Sequence, residues 1–243
     1  MGEILKTDDK YKDKAIRFID KNDYYELIFT DDFMPPSSGT YDGQKNYTLI
    51  TDIITDMRNA DKNKELHIFI GSYGGAVTCL NMIFQQVLSF NYRVGINLGM
   101  ADSCGWMLYF TCHERYTSSY SQFMYHEMSC FRYGKVKELE KDIKFSKEWW
   151  NELFENTFTK DVLTEDELKL GETSEVWLTG KELIKRGFAK DYSEYINRKK
   201  LIKINDVYEI DDKIYVKKDD KFYKYQKSSK NEFYTYQELI NKK

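Results

Sequence analysis

The sequence predicts an α/β fold whose core stacks β-α-β crossover units, followed by a small β-rich C-terminal appendage. Three features lead there. Strand-like apolar runs alternate with helical periods between residues 24 and 125. The pattern then changes to one long amphipathic helix over 135–158. Past about residue 195, apolar and charged residues alternate between Asp-rich turns, as in a β meander.

Taken in order, residues 1–22 are a charged N-terminal segment, and "YYELIFT" (24–30) is a strand. "DDFMPPSSGTYDGQ" (31–44) is a loop punctuated by Pro-Pro and Ser-Ser-Gly. Leu49, Ile53, Ile54 and Met57 recur at helical spacing, which predicts an amphipathic helix over 45–60. "ELHIFIGS" (65–72) is a strand, 74–90 a buried helix and "RVGINLG" (93–99) another strand. "CGWMLYFTC" is apolar all round, as expected of a helix enclosed in a core. "ERYTSS" and "QFMYHEM" are two short strands. In the helix over 135–158, Val136, Leu139, Ile143, Trp150, Leu153 and Phe154 trace one stripe, which covers either this chain's own core or a partner. A further helix begins at "TEDEL" (164–168), with acids in its first turn. "LTGKELIKRGFAKDY" (178–192) is a helix stopped at Gly187. The predicted organisation is 1–22, a main domain over 23–195, and an extension over 196–243.

Composition excludes several classes of function. Apolar residues make up 41%, enough for a real core, and with 37 basic against 40 acidic side chains no strong field favours nucleic acid. Cys79, Cys104, Cys112 and Cys130 form no CxxC pair, so a zinc site is not expected. Three of them lie in apolar runs, which suits reduced, buried thiols in a cytoplasmic protein. "MGEILKTDDKYKDK" is too charged for a signal peptide, and no apolar run approaches the ~20 residues that span a bilayer. No GxxxxGK[ST] motif is present, and neither a cofactor nor a metal is expected.

Two positions invite chemistry. Gly74-Gly75 joins a strand to a helix, which makes either an ordinary tight turn or a source of free backbone N–H groups for an oxyanion. In "GMADSCGWMLY", Ser103 stands at the next strand–helix junction, as a helix cap or as a nucleophile in need of a base. The chain has three histidines. His67 reads as a sheet residue. His113 falls at the far end of the helix that starts at Ser103, too distant to serve it. His126, at the end of "QFMYH", is left as the candidate base or as a structural histidine.

"IGSYGGAV", "GMADSCGWMLY", "FMYHEM" and "VWLTGKELIKRGFAKD", in this order, resemble the motifs of the Clp protease proteolytic subunit, ClpP, over about residues 22–192. The resemblance implies a ClpP/crotonase-like core with a protruding handle helix at 135–158. It implies an ATP-independent serine endopeptidase acting on unfolded polypeptide or peptides. Ser103 matches the nucleophile and His126 the general base, and Gly75 and the Cys104 N–H match the oxyanion hole. Glu175 falls where the family has the triad aspartate, with Glu172 a second candidate, and Gly134 matches a glycine of the substrate-lining strand. The resemblance also implies homo-oligomeric heptameric rings, paired as a tetradecamer, fed by an AAA+ ATPase unfoldase. Tyr73, Asp102, Cys104 and Glu175 depart from the family's residues. The alternatives are a catalytically impaired ClpP-like ring or scaffold subunit and, on fold analogy, a crotonase-type acyl-CoA enzyme.

Overall fold

The computed structural model describes residues 15–33, 41–129, 133–202, 207–210, 213–218, 221–227 and 234–238. The N-terminal segment up to residue 14, the Pro-Pro loop at 34–40 and Cys130 lie outside the described residues. The chain divides into two compact units, residues 1–194 and 195–243.

In the first unit, β1 (Ile16–Asp20), β2 (Tyr24–Phe29), β3 (Glu65–Ser72), β4 (Arg93–Asp102), β5 (Glu114–Thr117) and β8 (Lys190–Asp191) lie side by side in that order. β1 is antiparallel to β2, and every later step along this row is parallel. Helices α1 (Tyr41–Asn59), α2 (Val77–Leu88) and α3 (Cys104–Tyr109) fill the connections that parallel pairing requires. β3 is central, with Leu66, His67, Ile68 and Ile70 fully buried, as expected of a parallel strand covered on both faces. Cys79, Leu80, Ile83, Phe84 and Val87 form the buried face of α2. All six residues of α3 are buried, which explains its apolar surface all round. Its Trp106 packs against Phe110 with ring centroids 4.3 Å apart and donates from Nε1 to Thr159 Oγ1 at 3.0 Å.

One irregularity shapes the upper end of this sheet. β4 pairs with β5 only over Val94–Ile96 and then with β6 (Gln122–Tyr125) over Met100–Asp102. Asn97 bridges the changeover, donating from Nδ2 to the Gln122 carbonyl at 3.1 Å and accepting the Gly99 N–H at 2.7 Å. β7 (Val176–Thr179) then adds antiparallel to β6.

The structure departs from the sequence-based expectations in four places. β1 forms within the segment expected to be merely charged, because Ile16 is buried and Phe18 stacks on Tyr25 at 5.1 Å. β7 takes residues expected at the start of a helix. Val176 and Leu178 face the core while Trp177 and Thr179 face out, a period of two, and α7 (Gly180–Arg186) begins only afterwards. His113 is not helical. α3 ends at Tyr109, and His113 accepts the Arg93 N–H on Nδ1 at 3.1 Å. The helix expected at 135–158 spans Val136–Glu155 as α4, and its apolar stripe is divided. Trp150, Leu153 and Phe154 are buried on this unit, whereas Val136 and Ile143 are exposed, as is Phe145 off the stripe.

α5 (Thr159–Val162) and α6 (Glu165–Gly171) lead to β7. α6 starts with a capping box between Thr164 and Glu167. Gly187, at φ 81, ends α7 in the left-handed conformation that glycine adopts most readily. α8 (Tyr192–Ile202) passes from the first unit into the second, which carries β9 (Val207–Ile210), β10 (Lys213–Lys218), β11 (Lys221–Lys227) and β12 (Tyr234–Glu238). These four strands form a sheet in the order β12-β11-β10-β9, with neighbours antiparallel.

A fork of charged hydrogen bonds joins α6 to α7. Arg186 donates to both carboxylate oxygens of Glu167 at 2.8 and 2.7 Å and to Glu182 at 2.6 Å. The Arg186 bonds hold the Glu167 carboxyl down at about 2. A depressed carboxyl pKa stabilises the fold above its unfolded value, and that stabilisation is lost as pH falls through the folded value. Glu167→Gln is therefore expected to lower stability in urea by about 1–2 kcal/mol at neutral pH, allowing for partial exposure. The gap should close as pH falls from about 4.5 towards 2.

Candidate active site

The parallel strands β3 and β4 end side by side; β4 leads into α3 through Ser103 alone, and β3 into α2 through the turn at 73–76. In open α/β sheets the carboxyl ends of the strands are where ligands gather. After β3, Gly74 (φ 105) and Gly75 (φ 131) adopt backbone conformations that other residues rarely reach. There is also no room for side chains. A Cβ on Gly74 would come within 2.6 Å of Ser103 Cβ, and one on Gly75 within 2.4 Å of the Phe33 carbonyl oxygen. The Asp32-Phe33 segment clamps this turn: Phe33 N–H donates to Gly74 O at 2.7 Å, Ala76 N–H to Phe33 O at 2.6 Å and Tyr73 N–H to Asp32 Oδ1 at 3.1 Å.

Ser103 is the hinge between β4 and α3. Its φ of 53° and ψ of −112° cost a non-glycine residue about 1–3 kcal/mol. The reason it stays there lies in its neighbours. The Ser103 N–H donates to Met124 O at 2.7 Å, continuing the β4–β6 ladder, and its carbonyl already accepts the Met107 N–H of α3 at 3.1 Å. Ser103 occupies the N-cap position, yet its side chain makes no capping bond. Its hydroxyl points elsewhere, and Oγ lies 2.8 Å from His126 Nε2.

His126 follows β6 by one residue, as Ser103 follows β4, so the β4–β6 register sets both ends of this contact. His126 Nδ1 lies 2.6 Å from the carbonyl oxygen of Glu127. A carbonyl only accepts, so in the neutral ring Nδ1 carries the hydrogen and Nε2 is left to accept from the Ser103 hydroxyl. Among the described residues, neither the Gly75 N–H nor the Cys104 N–H donates a hydrogen bond.

The structure brings Ser103, His126, Gly75 and Cys104 together and does not bring Glu175 onto His126. The Glu175 carboxylate accepts the Trp177 Nε1–H at 3.0 Å and is exposed. It remains close by. Tyr125 pairs with Val176, so Glu175 is the residue next in line opposite His126, and both line a cleft of about 380 Å³ with Glu127, Gly171 and Glu172. Gly134 stands in irregular backbone just before α4, beside the undescribed residues 130–132. Asp102 is 1% exposed and accepts from Gln122 Nε2 on Oδ2 at 2.6 Å. Burial pushes its carboxyl up. Bonds from Gln122 and the Met124 backbone offset part of that, and the negative charge of Glu175 adds to it. Sequence reasoning missed the roles of Glu127 and Gln122. A backbone carbonyl leaves no trace in residue identity, and a lone glutamine on a short strand carries no signal of its partner.

Cys104, beside Ser103, is a poor rival nucleophile. Its Sγ donates to Gly75 O at 3.1 Å, and burial pushes the thiol up to about 12. Iodoacetamide at about pH 8 is expected to leave Cys104 untouched in the folded chain and to alkylate it in denaturant. Rapid alkylation of the native protein contradicts this arrangement. Among the described residues, no group of three or more His, Cys, Asp or Glu side chains is set to hold a metal ion. Nor is any helix there long and apolar enough to cross a membrane.

No curated protein matches the chain. The Clp protease family model matches residues 37–194, a span that takes in α1 through α7 and every residue of the site just described except Asp32 and Phe33. With well over half of its length matched, this chain belongs to the Clp protease family.

Proposed function

We propose that this chain is the serine endopeptidase subunit of a ClpP-like chamber, with Ser103 as nucleophile and His126 as general base. The observation that carries the reading is the 2.8 Å contact between Ser103 Oγ and His126 Nε2 in the correct tautomer for proton transfer. His126 takes the hydroxyl proton as Oγ attacks the peptide carbonyl. The N–H groups of Gly75 and Cys104 receive the oxyanion of the tetrahedral intermediate. The imidazolium then protonates the leaving amine, and water, activated by the same ring, releases the acyl group from Ser103.

Glu175 is proposed as the acid that supports the imidazolium, from its seat across the cleft. To do so it must give up Trp177 and replace the Glu127 carbonyl at Nδ1. Assembly into heptameric rings, paired through α4 as the handle, is supported by the exposed Val136, Ile143 and Phe145, apolar side chains that water does not favour. Gly134, next to that helix, is the proposed point at which an extended peptide adds as a strand. No cofactor is invoked. An AAA+ unfoldase is the proposed source of unfolded polypeptide, and the cytoplasm the proposed compartment.

A second reading has one observation in its favour. Glu175 is held by Trp177, which suits a subunit that keeps the fold and the ring but is catalytically impaired. The two readings separate in one experiment. A fluorophosphonate probe is expected to label Ser103 in the assembled protein and to leave Ser103→Ala unlabelled. Absence of label on a folded assembly supports the impaired subunit. Glu175→Gln is expected to lower kcat about 10- to 10⁴-fold on a short fluorogenic peptide. Unchanged turnover in that variant moves the support of His126 to Glu172, which lines the same cleft, or to the Glu127 carbonyl with no acid. Light scattering checks the assembly, and a monomer at every concentration contradicts the ring.

A further inference from the structure

We infer that Asp102 and Gln122 form a clasp that holds Ser103 in register with His126, which makes Asp102 a positioning residue for the proposed reaction. Three carboxylates are buried among the described residues: Glu26, Asp102 and Glu114. Glu26 has Lys21 at 3.4 Å and Glu114 has Lys190 at 3.2 Å. Asp102 has no cationic partner among the described residues, and its Oδ1 is buried without a formed hydrogen bond. A carboxylate left so costly to bury calls for a local reason.

The reason lies in the seam it crosses. β4 and β6 pair over only three residues, Met100↔Gln122 to Asp102↔Met124. The nucleophile follows this ladder by one residue and the base by two. A slip of one residue would move His126 by about 3.3 Å and turn its side chain to the other face. Beyond the ladder's own backbone bonds, three more lock the seam: Asn97 Nδ2 to Gln122 O, Ser103 N–H to Met124 O, and Gln122 Nε2 to Asp102 Oδ2. At 2.6 Å the last is the shortest, it is charge-assisted, and it is the only one made between two side chains. It ties the residue before Ser103 to the strand that presents His126.

The clasp rests on the serine peptidase reading, so its test has one readout that needs no activity. Asp102→Ala and Gln122→Met each remove one half of the bond, and Asp102→Asn keeps an oxygen that accepts from Gln122. The first two are expected to lose about 10- to 100-fold in kcat with KM within about threefold, the scale of a misplaced catalytic pair. Asp102→Asn should recover to within about threefold of the parent, and the Ala/Met double variant should be no worse than about twofold below the weaker single, as for one shared interaction. In parallel, ¹⁵N-histidine labelling resolves the three rings of this chain. The His126 Nε2 signal should show a hydrogen-bonded acceptor in the parent and in Asp102→Asn, and lose that signature in Gln122→Met. If Asp102→Ala does not fold, Gln122→Met, altered at a half-buried site, decides alone. Gln122→Met with parental kcat and a parental His126 signal overturns the clasp, as does Asp102→Asn no better than Asp102→Ala. A parent that shows the His126 signature, loses it in Gln122→Met and hydrolyses nothing keeps the clasp and contradicts the peptidase reading.

Discussion

The arrangement depends on the backbone of one residue. Ser103 is held at a positive φ, a conformation a serine does not adopt unaided. Its amide closes the β4–β6 ladder and its carbonyl opens α3, so the residue is fixed from both sides. The fully buried α3 anchors one side of this hinge. Displacing Ser103 would mean dragging Trp106, Tyr109 and their aromatic neighbours out of the core. The side chain is thereby released from capping and turned toward His126.

The same economy governs the facing turn. Gly74 and Gly75 are excluded from carrying side chains by Ser103 on one flank and Phe33 on the other. The result is a narrow space in which a hydroxyl, an imidazole acceptor and two unengaged N–H groups meet at the ends of parallel strands. For the acyl transfer proposed above, such fixed donors and acceptors are the kind of preorganised surroundings the reaction uses. In the proposed reaction the acid is the part that would have to move. Glu175 is one methylene longer than the aspartate of the family pattern and stands exposed just before β7, where its carboxylate accepts from the Trp177 indole.

Much of this was legible in the residues. β3, α2 and α3 follow from uniform or periodic burial, and Ser103, His126 and Gly74-Gly75 stand out as types that chemistry uses at strand–helix junctions. What stayed hidden depends on long-range pairing. The change of partner by β4, from β5 to β6, has no local signature beyond Asn97 and Gly99, yet it sets the distance between Ser103 and His126. β7 is four residues long, and its alternation is too brief to outweigh the helical pattern that follows it. β1 reads as part of a charged segment because only Ile16 is fully buried along it. The resemblance to the family pattern points to Glu175 as the partner of His126, but its bond to Trp177 depends on which face of the chain turns outward.

If His126 is what makes Ser103 a nucleophile, removing the imidazole must slow the serine itself and not merely the turnover. That is read from the rate at which an activated ester acylates Ser103, followed by intact mass and peptide mapping, in the parent and in His126→Ala. Acylation is expected to be confined to Ser103 and slowed about 10³-fold or more in the variant. Equal rates in the two proteins, or acyl groups found elsewhere, would contradict the assignment.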